Sequence, residues 1–306
     1  MTNIFLSIAP IFALIALGFA AKRYFISSDE FWSASDKLVY YLFFPSLLIL
    51  EIGHADFESV AAGSGLMVAI LATSAIAVTV FLYKFILSPD DELFTSVFQG
   101  GVRYNSYIFI ASSQALFGAE GAALSGLFIA SMIIFTNVIS VIVLNLYGKG
   151  SKKGLGSVAY NTATNPLIVG AVIGVALNLS GIHIEDGAVY GLMRYLGSAA
   201  TPLSLMSVGA GLLFVLDRNK KIAISYSIFA KLIMLPALAI SLISMLNLSG
   251  LAASVALLYC AVPCAGNAYI LSRQMGGDSV AMASIITWGT VISFLTIPVF
   301  MLSHLM

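Results

Sequence analysis

The chain has 306 residues, of which 60% are hydrophobic and 9% are charged, and its formal net charge at pH 7 is zero. Soluble globular domains carry about 25% charged residues, so this composition excludes a soluble protein, and the zero net charge gives no electrostatic basis for a nucleic-acid partner. The mean hydropathy of +1.01 describes the whole chain, which predicts an all-α polytopic membrane protein rather than a soluble domain with one anchor.

Apolar windows of about 20 residues, the length that crosses a bilayer as a helix, occur ten times along the chain. The first window precedes the basic pair Lys22 and Arg23, an order that is wrong for a cleavable signal peptide and typical of a first transmembrane helix. The fourth and ninth windows are interrupted by glycines and polar residues. The predicted spans are residues 3–21, 35–52, 60–83, 93–115, 121–147, 161–179, 188–213, 222–246, 251–272 and 280–303.

Basic residues occur only in alternate loops between these spans. Ten of the fourteen Lys and Arg residues fall in odd-numbered loops and none falls in an even-numbered loop. Because cytoplasmic loops are enriched in Lys and Arg, we predict a multi-pass protein of the cell (inner) membrane with cytoplasmic odd loops and both termini extracytoplasmic. Of the other four basic residues, Lys37 and Lys231 are expected to snorkel from helix ends to the cytoplasmic interface, whereas Arg103 and Arg194 lie deeper.

The two halves of the sequence repeat the same order of motifs. Asn105-Ser-Tyr107 in the fourth span recurs as Asn267-Ala-Tyr269 in the ninth. A proline and a glycine eight residues apart occur in the first span and again in the sixth, namely Pro10 with Gly18 and Pro166 with Gly174. Each half holds five spans, with residues 1–147 as the first repeat, a cytoplasmic loop at 148–157 and residues 158–306 as the second repeat. Because five is odd, the second repeat must be inverted, and inverted repeats are typical of secondary transporters.

The fourth and ninth spans are predicted to be broken helices. Gly100 and Gly101 interrupt the fourth span, and Pro263 and Gly266 interrupt the ninth, because glycine permits non-helical backbone and proline removes an N–H donor. Such backbone is tolerated at membrane depth only inside protein or beside a water-filled cavity. Two interrupted spans at matching positions of two repeats are therefore the best indication of a transport site.

The residues at these breaks suit a small organic anion. Half-helices that begin near Asn105 and Asn267 would direct free N–H groups at the breaks. Both side-chain amides can donate to a carboxylate, and Arg103 can add a bidentate contact. Two alternatives stay open: the asparagines only cap backbone groups, or Arg103 reaches the interface or pairs with an acidic residue.

Three runs of the sequence resemble the auxin efflux carrier family of bacteria and plants: Ile8–Ile26, Tyr40–Leu50 and Ala261–Asp278. The resemblance covers essentially the whole chain. It implies ten helices in two inverted five-helix repeats whose broken fourth and ninth helices cross at the substrate site. The asparagines that hold the substrate carboxylate at the crossing in plant members match Asn105 and Asn267.

The resemblance also implies how the molecule moves. Helices 1, 2, 6 and 7 would form a scaffold, helices 3–5 and 8–10 a mobile transport unit with elevator-like movement, and two chains a homodimer in the membrane lipid. Pro45 would then face the substrate cavity from the scaffold. The central loop, Gly148–Ser157, is shorter than in many plant members. The substrate class therefore stays open between an auxin-like acid and malonate or another dicarboxylate, the latter by analogy with bacterial relatives.

The sequence thus predicts a secondary transporter of a small carboxylate by elevator-like alternating access. The alternatives are an anion channel or a membrane sensor or receptor on the same fold. An enzyme is not expected, because the three histidines are scattered and no catalytic cluster forms. No metal or cofactor is expected either, since Cys260 and Cys264 have no ligating neighbours. The candidate substrate-binding residues are Asn105, Asn267, Arg103, Tyr107, Tyr269, Pro263, Gly101, Gly266 and Pro45.

Overall fold

The computed structural model describes residues 2–54, 62–87, 89–149, 154, 156, 159–160, 163–181, 187–214, 217 and 219–305. Over these residues the protein is helical and contains no β-strand. Several helices are long and apolar, which confirms the prediction of an all-α polytopic membrane protein. Most of the loop predicted at 148–157 lies outside the described residues.

The helices of the described residues follow one another with short connections. They are α1 (Thr2–Tyr24), α2 (Asp29–Leu38), α3 (Phe44–Gly53), α4 (Ala62–Leu87), α5 (Asp91–Val102), α6 (Ser106–Tyr147), α7 (Pro166–Ser180), α8 (Gly187–Ala210), α9 (Lys221–Phe229), α10 (Leu235–Met245), α11 (Gly250–Ala261), α12 (Asn267–Met275) and α13 (Ser279–Leu305).

Two π-helical turns join neighbouring helices without a break. The turn Val39–Phe43 connects α2 to α3, and the turn Ala230–Met234 connects α9 to α10. Each turn is followed by a proline in the first turn of the next helix, Pro45 or Pro236. A proline cannot donate a backbone hydrogen bond and its ring clashes with the carbonyl four residues earlier. The wider π turn holds that carbonyl and relieves the clash.

Five stretches among the described residues are long and apolar enough to cross a membrane. They are Ile4–Tyr24, Gly63–Leu87, Asp91–Tyr147, Lys221–Met245 and Ser279–His304. The apolar helices α7 and α11 are shorter. The predicted sixth span begins too early, because Asn165 caps α7 through its side chain and Pro166 occupies the first turn. Helix α2 starts at Asp29, before the predicted second span, with Ser28 as its cap.

One order of elements occurs twice along the chain. A helix of 12 residues, α5, is followed by a break and a short helical stretch that ends at Gly118, where φ is 68°, before α6 continues to Tyr147. A second helix of 12 residues, α11, is followed by a break and by α12, which ends at Gly276 with φ 73°, before α13. Glycine suits both ends because a left-handed backbone strains other residues.

The chain forms two compact units. Unit 1 comprises Met1–Ala62, Tyr107–Ser131 and Ala159–Gly211, and unit 2 comprises Gly63–Ser106, Met132–Val158 and Leu212–Met306. Within unit 1, α1 and α8 lie so close that a Cβ on Gly209 would overlap the carbonyl of Ile15. Within unit 2, α5 is buried from Leu93 to Val102 and α11 from Ala252 to Ala261, as expected of helices that are apolar all round.

Candidate substrate site at two helix breaks

The first break lies three residues later than the sequence predicts. Gly100 and Gly101 are helical residues of α5, and the helix ends only at Val102. A Cβ on Gly100 would overlap the hydroxyl of Ser227, and one on Gly101 would lie 3.2 Å from a methyl group of Val80. The prediction that these glycines interrupt the helix is therefore wrong. They are small because neighbouring helices pack closely against them.

The second break lies where Pro263 and Gly266 predict it. Helix α11 ends at Ala261, the backbone is extended at Val262 with φ −72° and ψ 150°, and α12 begins at Asn267. Pro263 is buried, whereas Gly266 and Asn267 are exposed. Five residues thus separate the two helices, next to a solvent-accessible asparagine.

The two breaks are bonded to each other inside unit 2. The backbone N–H of Asn105 donates to the carbonyl of Pro263 at 2.8 Å. The guanidinium of Arg103 donates from Nη2 to Oδ1 of Asn267 at 3.0 Å. The N–H of Asn105, which was expected to be free for a substrate, is therefore occupied. Arg103 neither reaches an interface nor pairs with an acid in the described parts of the chain.

The Arg103 contact fixes the direction of the Asn267 amide. A guanidinium has only donors, so the oxygen of the amide must face it and the Nδ2 group must point away as a donor. Arg103 is 6% exposed, and its Nε and Nη1 have no hydrogen-bond partner among the described residues. Buried polar groups are rarely left unpaired. These N–H donors of Arg103 and the Nδ2 group of Asn267 are therefore available to bind a ligand that carries hydrogen-bond acceptors.

A cavity of about 290 Å³ lies along α12, directly after Asn267. It is lined by Tyr269, Ile270, Arg273 and Gln274. The side chains of Asn267, Ile270 and Gln274 are exposed. This volume is close to the lower end of the range of small-molecule pockets, about 300–1,000 Å³. The cavity is open to the surface and is lined by residues of α12 that follow Asn267 in the chain.

A row of polar contacts holds α5 against the segment that carries α12. At one end the N–H of Asp278 donates to the carbonyl of Glu92 at 3.1 Å, and the hydroxyl of Ser96 donates to the carbonyl of Asp278 at 2.8 Å. In the middle Nε2 of Gln99 donates to the hydroxyl of Ser272 at 2.8 Å. We call this row, together with the contacts at the breaks, the polar ladder.

Sequence reasoning did not identify Gln99 or Ser272. The signal was available in part, because Glu92, Ser96, Gln99 and Arg103 are spaced by three or four residues and so share one helix face. A polar face on an apolar helix indicates a buried polar partner. The partner itself lies 173 residues away and has no local signature.

Comparison with known proteins finds similarity to a family of membrane transport proteins. Residues 151–301 match the family model described as Membrane transport protein. The second half of the chain is therefore similar to this family. The match confirms the resemblance to the auxin efflux carriers. Two relatives are similar to this membrane transport protein over nearly its whole length. An uncharacterized transporter of Methanocaldococcus jannaschii is 24% identical over 93% of each chain. An uncharacterized transporter of Methanothermobacter thermautotrophicus is 22% identical over 95% of each chain.

Seven of the nine candidate site residues of this membrane transport protein belong to unit 2, and two belong to unit 1. Arg103, Asn105, Pro263, Gly266 and Asn267 lie at the two breaks. Gly101 packs inside α5 and Tyr269 lines the cavity along α12. In unit 1 the ring of Tyr107 lies 4.9 Å from that of Phe44, and Pro45 packs against Gly170. The substrate-binding role of all nine stays a prediction.

Lys231 does not snorkel to an interface in this transport protein. It lies in the π turn Ala230–Met234, ten residues into the continuous helix that starts at Lys221, and is 2% exposed. Its ammonium group lies 5.5 Å from the ring centroid of Tyr259. The expectation was wrong because Lys231 lies about two and a half turns inside its helix, in the predicted span 222–246 as in the structure, which is too far from the helix end for its side chain to reach the interface.

Ion pairs and backbone contacts join four odd-numbered loops on one side of unit 2. Lys149 pairs with Glu92 at 2.6 Å and donates its N–H to the carbonyl of Gly276. Lys220 pairs with Asp278 at 2.7 Å. The hydrogen bond to Glu92 raises the pKa of Lys149, and the hydrogen bond to Asp278 raises the pKa of Lys220. Loops three, five, seven and nine therefore lie together.

Proposed function

We propose that this membrane transport protein is a secondary transporter that binds a small carboxylate at the two helix breaks and carries it by elevator-like alternating access. The observation that carries the proposal is the bond between Arg103 and Asn267 across the breaks. It brings a buried cation and an outward amide donor to one place. Carboxylates are the small organic ligands that best match a guanidinium beside an amide.

The charge of the site favours an anion. None of the ion pairs among the described residues involves Arg103, so its positive charge has no carboxylate to balance it there. A buried charge without a counter-charge is costly. A bound carboxylate would supply both the missing charge and acceptors for the unpartnered Nε and Nη1 groups.

We further propose ten membrane spans in two inverted five-helix repeats, with cytoplasmic odd loops and both termini outside the inner membrane. The order of elements that recurs in α5–α6 and α11–α13 supports the repeat. The contacts among loops three, five, seven and nine support a common side, and that side carries Lys149 and Lys220. The scaffold and mobile helices and the homodimer follow from the family resemblance and stay predictions.

Transport by alanine variants tests the site. Uptake of radiolabelled carboxylates is measured in proteoliposomes with wild type, Asn105→Ala and Asn267→Ala. We expect each variant to lose about 10- to 100-fold in substrate affinity, because a hydrogen bond to a charged group is worth about 1.5–3 kcal/mol. Asn219→Ala is the matched control, since Asn219 is an exposed loop asparagine. Gel filtration checks that every variant is folded.

The same assay separates the carrier from its alternatives. A carrier accelerates uptake when unlabelled substrate is present inside the vesicle, a channel does not, and a sensor gives no flux. Near wild-type transport by both alanine variants would reject the site. Impermeant maleimide labelling of cysteines introduced at Lys149 and Ser180, in a protein without Cys260 and Cys264, tests the orientation. Labelling of both positions from the same side would reject it.

A further inference from the structure

Lys231 is a buried cation that has no polar partner among the described residues. It is 2% exposed. Its Nζ donates no hydrogen bond and forms no ion pair among the described residues. Ionisable side chains inside membrane segments are rare, and they usually pair with one another or mark a substrate or ion path. The absence of a pair favours the second role for Lys231.

Two aromatic rings and a thiol connect Lys231 to the helix breaks. Its ammonium lies over the ring of Tyr259, and that ring lies 4.6 Å from the ring of Tyr104, which stands in the first break next to Arg103. Cys264, in the second break, is within electrostatic range of both Arg103 and Lys231. Both cations therefore lie in the same compact unit, with Arg103 in the first break and Lys231 joined to that break through the rings of Tyr259 and Tyr104.

The breaks hold more positive charge and more donors than a single carboxylate can satisfy. Arg103 leaves Nε and Nη1 unpartnered and Lys231 leaves Nζ unpartnered among the described residues. A guanidinium and an ammonium carry one positive charge each and donate through every N–H. The face of an aromatic ring attracts a cation but supplies no negative charge. One carboxylate would balance one of the two charges and leave the other uncompensated.

We propose that Lys231 is a second anion-binding cation of this site and that, with Arg103, it selects substrates with two carboxylates over substrates with one. The proposal rests on the proposed function, that the breaks bind a carboxylate. We expect two separated carboxylates to suit the site better than one tetrahedral dianion, because the two cations stand on different elements, Arg103 in the first break and Lys231 in the π turn Ala230–Met234.

Matched ligands test the charge requirement. The purified full-length protein is titrated with malonate and with monomethyl malonate, which keeps one carboxylate and masks the other, and with sulfate as a tetrahedral dianion. We expect wild type to bind malonate about 10- to 100-fold more tightly than the ester, the range of one hydrogen-bonded charge. Sulfate should bind more weakly than malonate.

Variants of Lys231 assign the preference to its charge. Lys231→Met, which keeps a long unbranched chain without charge, should bind both ligands with similar affinity and bind the ester within about threefold of wild type. Lys231→Arg should keep the preference for malonate, which separates charge from folding. Lys221→Met is the matched control, because Lys221 is an exposed lysine of the same helix.

Three results would overturn the proposal. Equal binding of malonate and the ester by wild type would show that the site does not distinguish two carboxylates from one. A malonate preference retained in Lys231→Met would show that another group provides it. Binding of sulfate as tight as that of malonate would assign a tetrahedral dianion instead. Failure of the proposed function is distinct, because wild type would then bind neither malonate nor the ester, whereas failure of this inference alone leaves the ester bound.

Discussion

Replacing Asn267 by aspartate changes one polar group at the helix breaks. The carboxylate keeps the oxygen that accepts from Nη2 of Arg103 at 3.0 Å, and it replaces the outward Nδ2 donor by a negatively charged oxygen. The variant therefore gives Arg103 a counter-charge and removes a donor that the proposed function assigns to the substrate. We expect it to be more stable than wild type without substrate and to bind carboxylates poorly.

The contact between the aspartate and Arg103 sets the size of the stability effect. Two unit charges about 4 Å apart attract by about 4 kcal/mol at an effective dielectric constant of about 20. Desolvation of the new carboxylate cancels part of this energy, but only part, because Asn267 is exposed. Charge-assisted hydrogen bonds contribute about 1.5–3 kcal/mol net. Arg103 is already desolvated in wild type. At about 2–4 °C per kcal/mol, the melting temperature should rise by several degrees.

Thermal unfolding of the purified protein with and without carboxylate measures both effects. The stabilisation by carboxylate seen in wild type should disappear in Asn267→Asp. In Arg103→Met/Asn267→Asp the gain in stability should disappear too, because the new charge has no partner. Asn219→Asp controls for an added surface charge. If Asn267→Asp is less stable than wild type, or is still stabilised by carboxylate, then Arg103 already has a counter-charge or Asn267 does not face the substrate.

Two further predictions concern stability. Gly209→Ala should lower the melting temperature, because its Cβ would overlap the carbonyl of Ile15 and overpacking costs about 1–3 kcal/mol; Gly191→Ala on the same helix meets nothing within 4 Å, and equal losses in both would contradict the close contact of α1 and α8. Asp278→Asn keeps the side-chain oxygen that caps α13 but loses the ion pair with Lys220, so unfolding should cost about 0.2–1 kcal/mol less. Asp278 raises the pKa of Lys220 in the folded protein. The stability difference between wild type and the variant should therefore be full below the ordinary lysine pKa of about 10.4 and should fade as pH rises through the higher folded pKa of Lys220. If unfolding experiments show the same difference well above that folded pKa, the ion pair is not its cause.

The break at Pro263 was predicted at its position, whereas for the first break the sequence predicted the start of the half-helix near Asn105 but not the end of α5 at Val102, for a physical reason. A proline has one effect inside a helix, the loss of a donor and a clash with the preceding turn. A glycine has two, since it permits a break and also permits close packing. Gly100 and Gly101 serve close packing, because Ser227 and Val80 of neighbouring helices lie close to where a Cβ would be. Those neighbours come from other helices, so the sequence of the fourth span cannot decide between the two.

Lys231 shows a second limit of prediction from sequence. Snorkelling depends on the distance from a lysine to the end of its helix, and Lys231 lies too deep in the helix that starts at Lys221 for its ammonium group to reach that end. Pro236 alone would favour an end or a kink near Lys231. The structure instead accommodates the proline with the turn Ala230–Met234. The family and the polytopic class were predictable because they depend on composition and on runs of many residues.

Among the described residues, the hydrogen-bonding groups of the polar ladder are paired at its loop end and only partly paired at the helix breaks. A site built in this way can be rigid and still have groups free to bind a ligand. At the loop end, Glu92, Ser96 and Asp278 bind one another through backbone carbonyls and a hydroxyl. Farther along, the buried atoms Oε1 of Gln99 and Nε and Nη1 of Arg103 have no hydrogen-bond partner in the described part of the chain. The contacts near the loops hold the backbone of α5 in place. The donors at the break are therefore positioned before any ligand arrives, and a ligand that meets them need not order them first, which lowers the cost of binding.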